Sequence, residues 1–295
     1  MNNYVFYIVD VFAEKKYAGN QLAVFRSACG LTTSEMQRFA KEMNYSETTF
    51  ILNESERSGS YDVRIFTPAE EIPFAGHPTL GTAFIIQQEI LQKPVEKVVL
   101  NLKVGQIPVS LNYDQGRLGE LWMAQQNPVF GRILDKRSVA KSLNLESEDI
   151  DDRFPVQEVS TGLPFVIVPL KTLEAVKRAR LIRELFFNLV KDVEAKCPFI
   201  FCPEPYASEN DLNARMFGDY FDIPEDPATG SANGCLAAYL VKNRYFGEPR
   251  IDVRVEQGYE IGRPSLLYLK AEERKDAIDV LVGGKVFLVA RGEFV

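Results

Sequence analysis

Short runs rich in Val, Ile, Phe and Tyr recur along the whole chain, separated by Gly, Pro, Asn and Asp. Such runs, four to nine residues long and bounded by turn-forming residues, predict β-strands. They fall at 4–12, 22–25, 48–52, 61–66, 98–102, 107–111, 118–123, 156–160, 165–169, 199–202, 212–217, 251–255, 266–269, 278–282 and 285–290. The last two flank Gly283-Gly284, which reads as a two-residue hairpin turn because glycine reaches positive φ without strain. Helical periodicity is rarer. Met36, Phe39, Ala40 and Met43 form an i, i+3, i+4, i+7 stripe, with Thr33 or Ser34 as the expected cap. Further helices are expected at about 77–90, near 135–142, at 181–193 and at about 231–242. Many strands with a few long helices give an α+β chain rather than alternating βαβ units.

The pattern also repeats. Arg64-Ile65-Phe66 is followed by Glu71-Ile72-Pro73-Phe74-Ala75-Gly76-His77, and Arg215-Met216-Phe217 by Glu225-Asp226-Pro227-Ala228-Thr229-Gly230-Ser231. Placing Glu71 on Glu225 aligns Pro73 with Pro227, Gly76 with Gly230, His77 with Ser231 and Ala83 with Ala237. A looser match sets 46–51 against 160–166. Each copy reads as strand, irregular turn, glycine, then a helix of small residues. Two similar domains facing one another across a site are expected, at 1–115 and 116–285, with a C-terminal strand at about 286–295 able to return to the first.

Composition narrows the chemistry. The 295 residues carry 34 Lys+Arg against 41 Asp+Glu, a net charge of −7, without the clustered basic face that nucleic acid requires. The short run Lys177-Arg178-Ala179-Arg180 reads as a solvated helix end. No apolar run approaches the ~20 residues of a membrane span, and residues 1–10 lack a signal-peptide pattern. Four scattered cysteines do not make a disulfide framework, so a reducing, cytoplasmic setting is expected. One His and no CxxC pair leave no zinc site, and any His-dependent scheme must use His77. Neither GxGxxG nor a P-loop is present, so no nucleotide cofactor is expected.

Gly76 and Gly230 each open an expected helix, where free backbone N–H groups and the helix dipole favour an anion such as a carboxylate. A plain strand-to-helix turn is the alternative at both. Pro78 suits an early helical position, and Gly81 within the helix signals close packing. At a helix N-terminus His77 would stay neutral and orient or relay a proton. Glu47 precedes a strand that reads as buried; burial would raise its pKa towards that of a general acid/base, and a surface loop position is the alternative. Glu225 to Ser231 offers two carboxylates and two hydroxyls. Asp226 either caps the turn or, with Ser231, orients a polar group of a substrate. Cys235 reads as a small buried hydrophobe, and Cys197 and Cys202 as core or edge positions.

Taken together these residues resemble the PhzF-like family, the phenazine-biosynthesis isomerase group within the diaminopimelate-epimerase fold. The resemblance runs in order through Val9-Asp10-Val11-Phe12, Tyr17-Ala18-Gly19-Asn20, Ser46-Glu47-Thr48, Phe66-Thr67-Pro68, Gly76-His77-Pro78-Thr79, Glu225 to Gly234, Gln257-Gly258 and Gly262-Arg263-Pro264-Ser265. It implies two similar domains related by a pseudo-twofold, each a curved, mainly antiparallel sheet or barrel around a central helix. It further implies a cofactor-free, metal-free site in the interdomain cleft, and a homodimer. The family's catalytic Glu falls on Glu47, and its active-site His, Asp and Ser on His77, Asp226 and Ser231; Gly76, Gly230 and Thr229 would bind substrate. In the phenazine enzyme the Glu moves a proton between two carbons of a dihydro-hydroxyanthranilate. Related racemases carry one Cys at each glycine turn. Here those turns read Ala75-Gly76 and Pro227-Ala228, which argues against two-thiol racemisation. A cofactor-independent epimerase or lyase, or a non-catalytic metabolite-binding protein, stays open as an alternative.

Overall fold

The computed structural model describes residues 3–56, 59–275 and 277–295. In chain order the strands and helices are β1 (Tyr4–Val11), β2 (Asn20–Phe25), α1 (Thr33–Met43), β3 (Thr48–Ile51), β4 (Tyr61–Phe66), β5 (Glu71–Ile72), α2 (Gly76–Ile85), β6 (Lys97–Leu102), β7 (Gly105–Asp114), β8 (Arg117–Ala124), β9 (Val129–Ile133), α3 (Lys136–Ser142), β10 (Gln157–Ser160), β11 (Pro164–Pro169), α4 (Leu173–Arg178), α5 (Arg183–Leu189), β12 (Pro198–Cys202), β13 (Leu212–Gly218), β14 (Ile223–Asp226), α6 (Gly230–Lys242), β15 (Arg250–Gln257), β16 (Ser265–Arg274), β17 (Ala277–Gly284) and β18 (Val286–Phe294). The chain separates into two compact units, Met1–Met123 with Gly283–Val295, and Ala124–Val282. Strands dominate over a few helices, as an α+β fold requires.

In the first unit the strand order is β18-β1-β2-β3-β4-β6-β7-β8. The β2–β3 and β4–β6 pairs are parallel and the rest antiparallel, with β5 folding back on β4. The sheet wraps α2, which touches β1, β2, β3, β6, β7 and β18 and is buried at every residue. That is why α2 carries no polar stripe: a helix enclosed on all sides is apolar all round. Gly81 is needed for this fit, since a Cβ there would lie 2.6 Å from Leu22 Cδ2 and 2.9 Å from Val11 Cγ2. The outer face of the sheet is covered by α1 through Met36 and Ala40, packed on Phe25, Phe50 and Phe66.

The second unit repeats the series. Its order is β9-β10-β11-β12-β13-β15-β16, again with parallel pairs at β11–β12 and β13–β15, and with β14 folding back on β13. Helix α6 stands where α2 stands, against β10, β11, β15 and β16. Helices α3, α4 and α5 cover the outer face through Val139, Val176 and Phe186. The series makes β12, not β11, the counterpart of β3, so the looser match of 46–51 with 160–166 does not hold. Residues 161–163 instead form the turn between β10 and β11.

Other sequence expectations shift locally. Helix α1 is capped by Thr32, one residue earlier than expected, because Thr32 and Glu35 close a reciprocal capping box. Helix α2 ends at Ile85 and passes into a π-helical turn over Ile86–Leu91. The segment expected as a helix at 181–193 is helical only over Arg183–Leu189, and α4 lies ahead of it, capped by Thr172. Strand β9 escapes the pattern because its apolar residues face out, Val129 and Ile133 being about two-thirds exposed at 66% and 67%. Gly283-Gly284 does not form a positive-φ turn but ends β17. Close packing explains both glycines: a Cβ on Gly283 would lie 2.5 Å from the Trp122 ring, and one on Gly284 2.5 Å from Phe12.

Candidate active site

The Glu47 position follows from how α1 stops. Asn44 closes the helix in the left-handed region at φ 54, a conformation Asn tolerates. Tyr45 and Ser46 make the turn, and Glu47 precedes β3 with its side chain 17% exposed. On the neighbouring α2, Ala75 is extended and makes no side-chain cap, so the helix opens on backbone amides. His77 sits in that first turn, 6% exposed, with Nε2 3.4 Å from Glu47 Oε2. Thirty residues of sequence therefore collapse into one carboxyl–imidazole pair.

Burial, which disfavours the charged imidazolium, pushes His77 down to about 3; a hydrogen bond from the ring to the Gln21 backbone works weakly the other way. His77 is thus neutral across the physiological range. The approach to Glu47 is not a charge–charge pair but a neutral ring beside a carboxyl, placed to accept a hydrogen bond from the protonated carboxyl. The loop before β2 frames this corner. Tyr17 N donates to the buried Asp10 carboxylate at 2.6 Å, and Gly19, at φ +70, leaves no room for a Cβ beside the Val11 carbonyl.

The second unit gathers Asp226, Thr229, Gly230 and Ser231 at the corresponding corner. Asp226 is 7% exposed and closes β14; the Thr229 hydroxyl donates to its Oδ2. Thr229 is also the residue before α6, again without a side-chain cap. Gly230 is buried and Ser231 half-buried in the first turn. Gln257, to which no chemistry attaches in the sequence, pins the turn together with Asn233, both fully buried. Gln257 Oε1 accepts from Thr229 N at 3.1 Å and from Asn233 Nδ2 at 2.9 Å; its Nε2 donates to the Asp226 carbonyl at 2.9 Å and to Thr229 Oγ1 at 3.0 Å. Gly258, at φ +78, lets the next backbone pass: a Cβ there would lie 2.6 Å from the Pro227 carbonyl. The only trace of this in the sequence is the Gln-Gly dipeptide itself.

Both glycine turns are tethered by the same device. Arg64 Nε and Nη2 donate to the two Glu71 carboxylate oxygens at 2.8 and 2.6 Å, and Arg215 does the same to Glu225 at 2.9 and 2.8 Å. Strand register makes the equivalence specific: Arg64 lies opposite Phe50, and Arg215 opposite Ile200. Counting back three residues puts Cys197 at the position of Glu47. Burial pushes the Cys197 thiol up to about 12, so it stays protonated. The two corners share a scaffold but differ in chemistry, with Glu and His in one and Cys, Asp and Ser in the other. Among the described residues no group of three or more His, Cys, Asp or Glu could hold a metal ion. No helix among them is long and apolar enough to cross a membrane.

A duplicated sheet-around-helix fold is shared with solved epimerase and racemase structures. A hydroxyproline epimerase from Agrobacterium vitis shares that fold at TM-score 0.64 with 9% identity, covering 100% of this chain and 91% of that one. The chain belongs to the phenazine biosynthesis-like protein family, whose model matches residues 9–292. A trans-2,3-dihydro-3-hydroxyanthranilate isomerase from Pseudomonas fluorescens is 35% identical over the full length of both chains. The crystal structure of a PhzF-family phenazine biosynthesis protein from Bacillus anthracis covers both chains completely at TM-score 0.91 and 28% identity.

Proposed function

We propose that this protein is an isomerase that moves a proton between carbons of a small carboxylate-bearing substrate, without a cofactor, in the interdomain cleft that the family resemblance implies. Glu47 is the general acid/base, and neutral His77 accepts a hydrogen bond from its protonated form and so fixes its direction. Asp226 orients the reacting groups, and Ser231 with the helix-opening amides at Gly76 and Gly230 binds the substrate. The observation that carries the reading is the 3.4 Å approach of Glu47 Oε2 to the buried His77 Nε2. A carboxyl that takes a proton from one carbon and delivers it to another must hold that proton in between, and a ring kept neutral by burial can accept a hydrogen bond from the protonated carboxyl without removing the proton. A trans-2,3-dihydro-3-hydroxyanthranilate is the first substrate to try, because the Pseudomonas fluorescens relative is named for it.

Incubation in deuterated water with that compound and a panel of small carboxylic acids tests the reading. Desalted, chelator-treated protein should convert at least one of them to a positional isomer carrying solvent deuterium at carbon. Inversion at one carbon without a double-bond shift, or elimination, would move the assignment to an epimerase or a lyase. Binding without any product, shown by ligand-dependent thermal stabilisation, would make it a metabolite-binding protein.

A further inference from the structure

Thr229 and Gln257 form a directed hydrogen-bond chain that ends on Asp226, and every proton in it can be assigned from chemistry. Gln257 is fully buried and all four of its hydrogen-bonding positions are used. Thr229 N and Asn233 Nδ2 can only donate, so the group facing them must be the carboxamide oxygen. The carboxamide NH2 therefore faces the Asp226 carbonyl and Thr229 Oγ1. Because Thr229 Oγ1 accepts from that NH2, its own proton is left to donate, and it points at Asp226 Oδ2. Asn233 locks the far end, with Nδ2 also donating to the Thr229 carbonyl at 3.0 Å. The chain runs from β15 and α6 to the last residue of β14, so three elements set the direction of one hydroxyl proton.

We propose that Gln257 is a positioning residue that acts through Thr229: it forces the Thr229 hydroxyl to donate to Asp226 and so holds that carboxylate ionised and fixed in direction. The proposal rests on the reading of Asp226 as a site residue only for its consequence on turnover. The hydrogen-bond chain itself can be tested without substrate. Thr229→Val keeps the shape of the side chain and removes the donor. Thr229→Ser keeps the donor. Gln257→Glu offers the hydroxyl a carboxylate acceptor and would turn it away from Asp226.

The experiment is a carboxyl-carbon NMR titration of the full chain labelled with 13C-Asp, with the Asp226 signal assigned by its loss in Asp226→Asn. Thr229→Val should raise the Asp226 midpoint by about one unit or more, since a hydrogen bond to the ionised form is removed. Thr229→Ser should restore it to within a few tenths of a unit. Gln257→Glu should raise it as Thr229→Val does; if that buried charge prevents folding, the Thr229 pair decides alone. In parallel, kcat on the converted substrate should fall about tenfold in Thr229→Val with KM within about twofold, and recover in Thr229→Ser. An Asp226 midpoint unchanged in Thr229→Val would overturn the proposal. Full turnover by Asp226→Asn, with the NMR shift still present, would instead remove Asp226 from the reaction and leave the chain of hydrogen bonds standing.

Discussion

His77 is the only histidine in the sequence, and burial rather than a partner sets its charge. In the unfolded chain it takes up a proton as pH falls through 6.5, whereas in the folded chain it does so only near 3. The unfolded state thus binds more protons throughout that window. The stability contributed by the neutral ring is complete above pH 6.5 and is lost progressively on acidification. Between pH 7 and pH 5 the loss attributable to His77 is about 2 kcal/mol. Denaturant unfolding at the two pH values should show His77→Gln losing less stability than the parent by about that amount. Parallel losses in the two proteins would contradict a neutral His77. The spacing of residues could single out His77 and Glu47 as chemically interesting, but not as neighbours. Their pairing depends on α1 ending at Asn44 and α2 entering beside β3, which only the resemblance implied. Gln257 and Asn233 were visible only as members of motifs, without a role, because buried amides look like any polar residue until the backbone groups they face are known.

At the scale of elements, the Arg–Glu tethers hold the two glycine turns with unequal security. Arg215 and Glu225 are 4% and 9% exposed, and Arg215 also donates to the carbonyls of Val176 and Ala179. Arg64 and Glu71 are 24% and 12% exposed, and Lys103 approaches Glu71 at 2.8 Å as a second cation. Removing one partner of a buried pair strands the other charge, at a cost of about 3–5 kcal/mol; a pair with a second cation at hand should cost about 1–2 kcal/mol. Arg215→Met should therefore lower the urea midpoint of the chain distinctly more than Arg64→Met. Equal losses would mean that the tethers are equivalent and that Lys103 contributes nothing. The repeat of Arg, Glu and Gly was readable in the sequence because the tether and the helix start keep their residue types. The outer helices were less readable. Segments α4 and α5 are short, and their apolar residues serve a core whose shape the local pattern does not encode.

Over the whole molecule, the same series of antiparallel and parallel pairings is built twice, each time around a buried helix. Duplication of the scaffold does not duplicate Glu47 and His77. The position of Glu47 is taken in the second unit by Cys197, whose buried thiol keeps its proton, and that of His77 by Ser231. A reaction that needs one carboxyl to carry a proton between two carbons fits this asymmetry better than one needing a matched pair of bases. The alternation of short strands made the fold class evident from the sequence. What the sequence left out was the register that equates Cys197 with Glu47, because register depends on which strands pair. The most direct measurement is the turnover number of Glu47→Gln on the substrate that the parent protein converts. The substitution keeps size and polarity but cannot carry the proton. A fall in kcat of about 10²- to 10⁴-fold with an unchanged melting temperature is expected; a kcat within twofold of the parent would contradict Glu47 as the proton carrier.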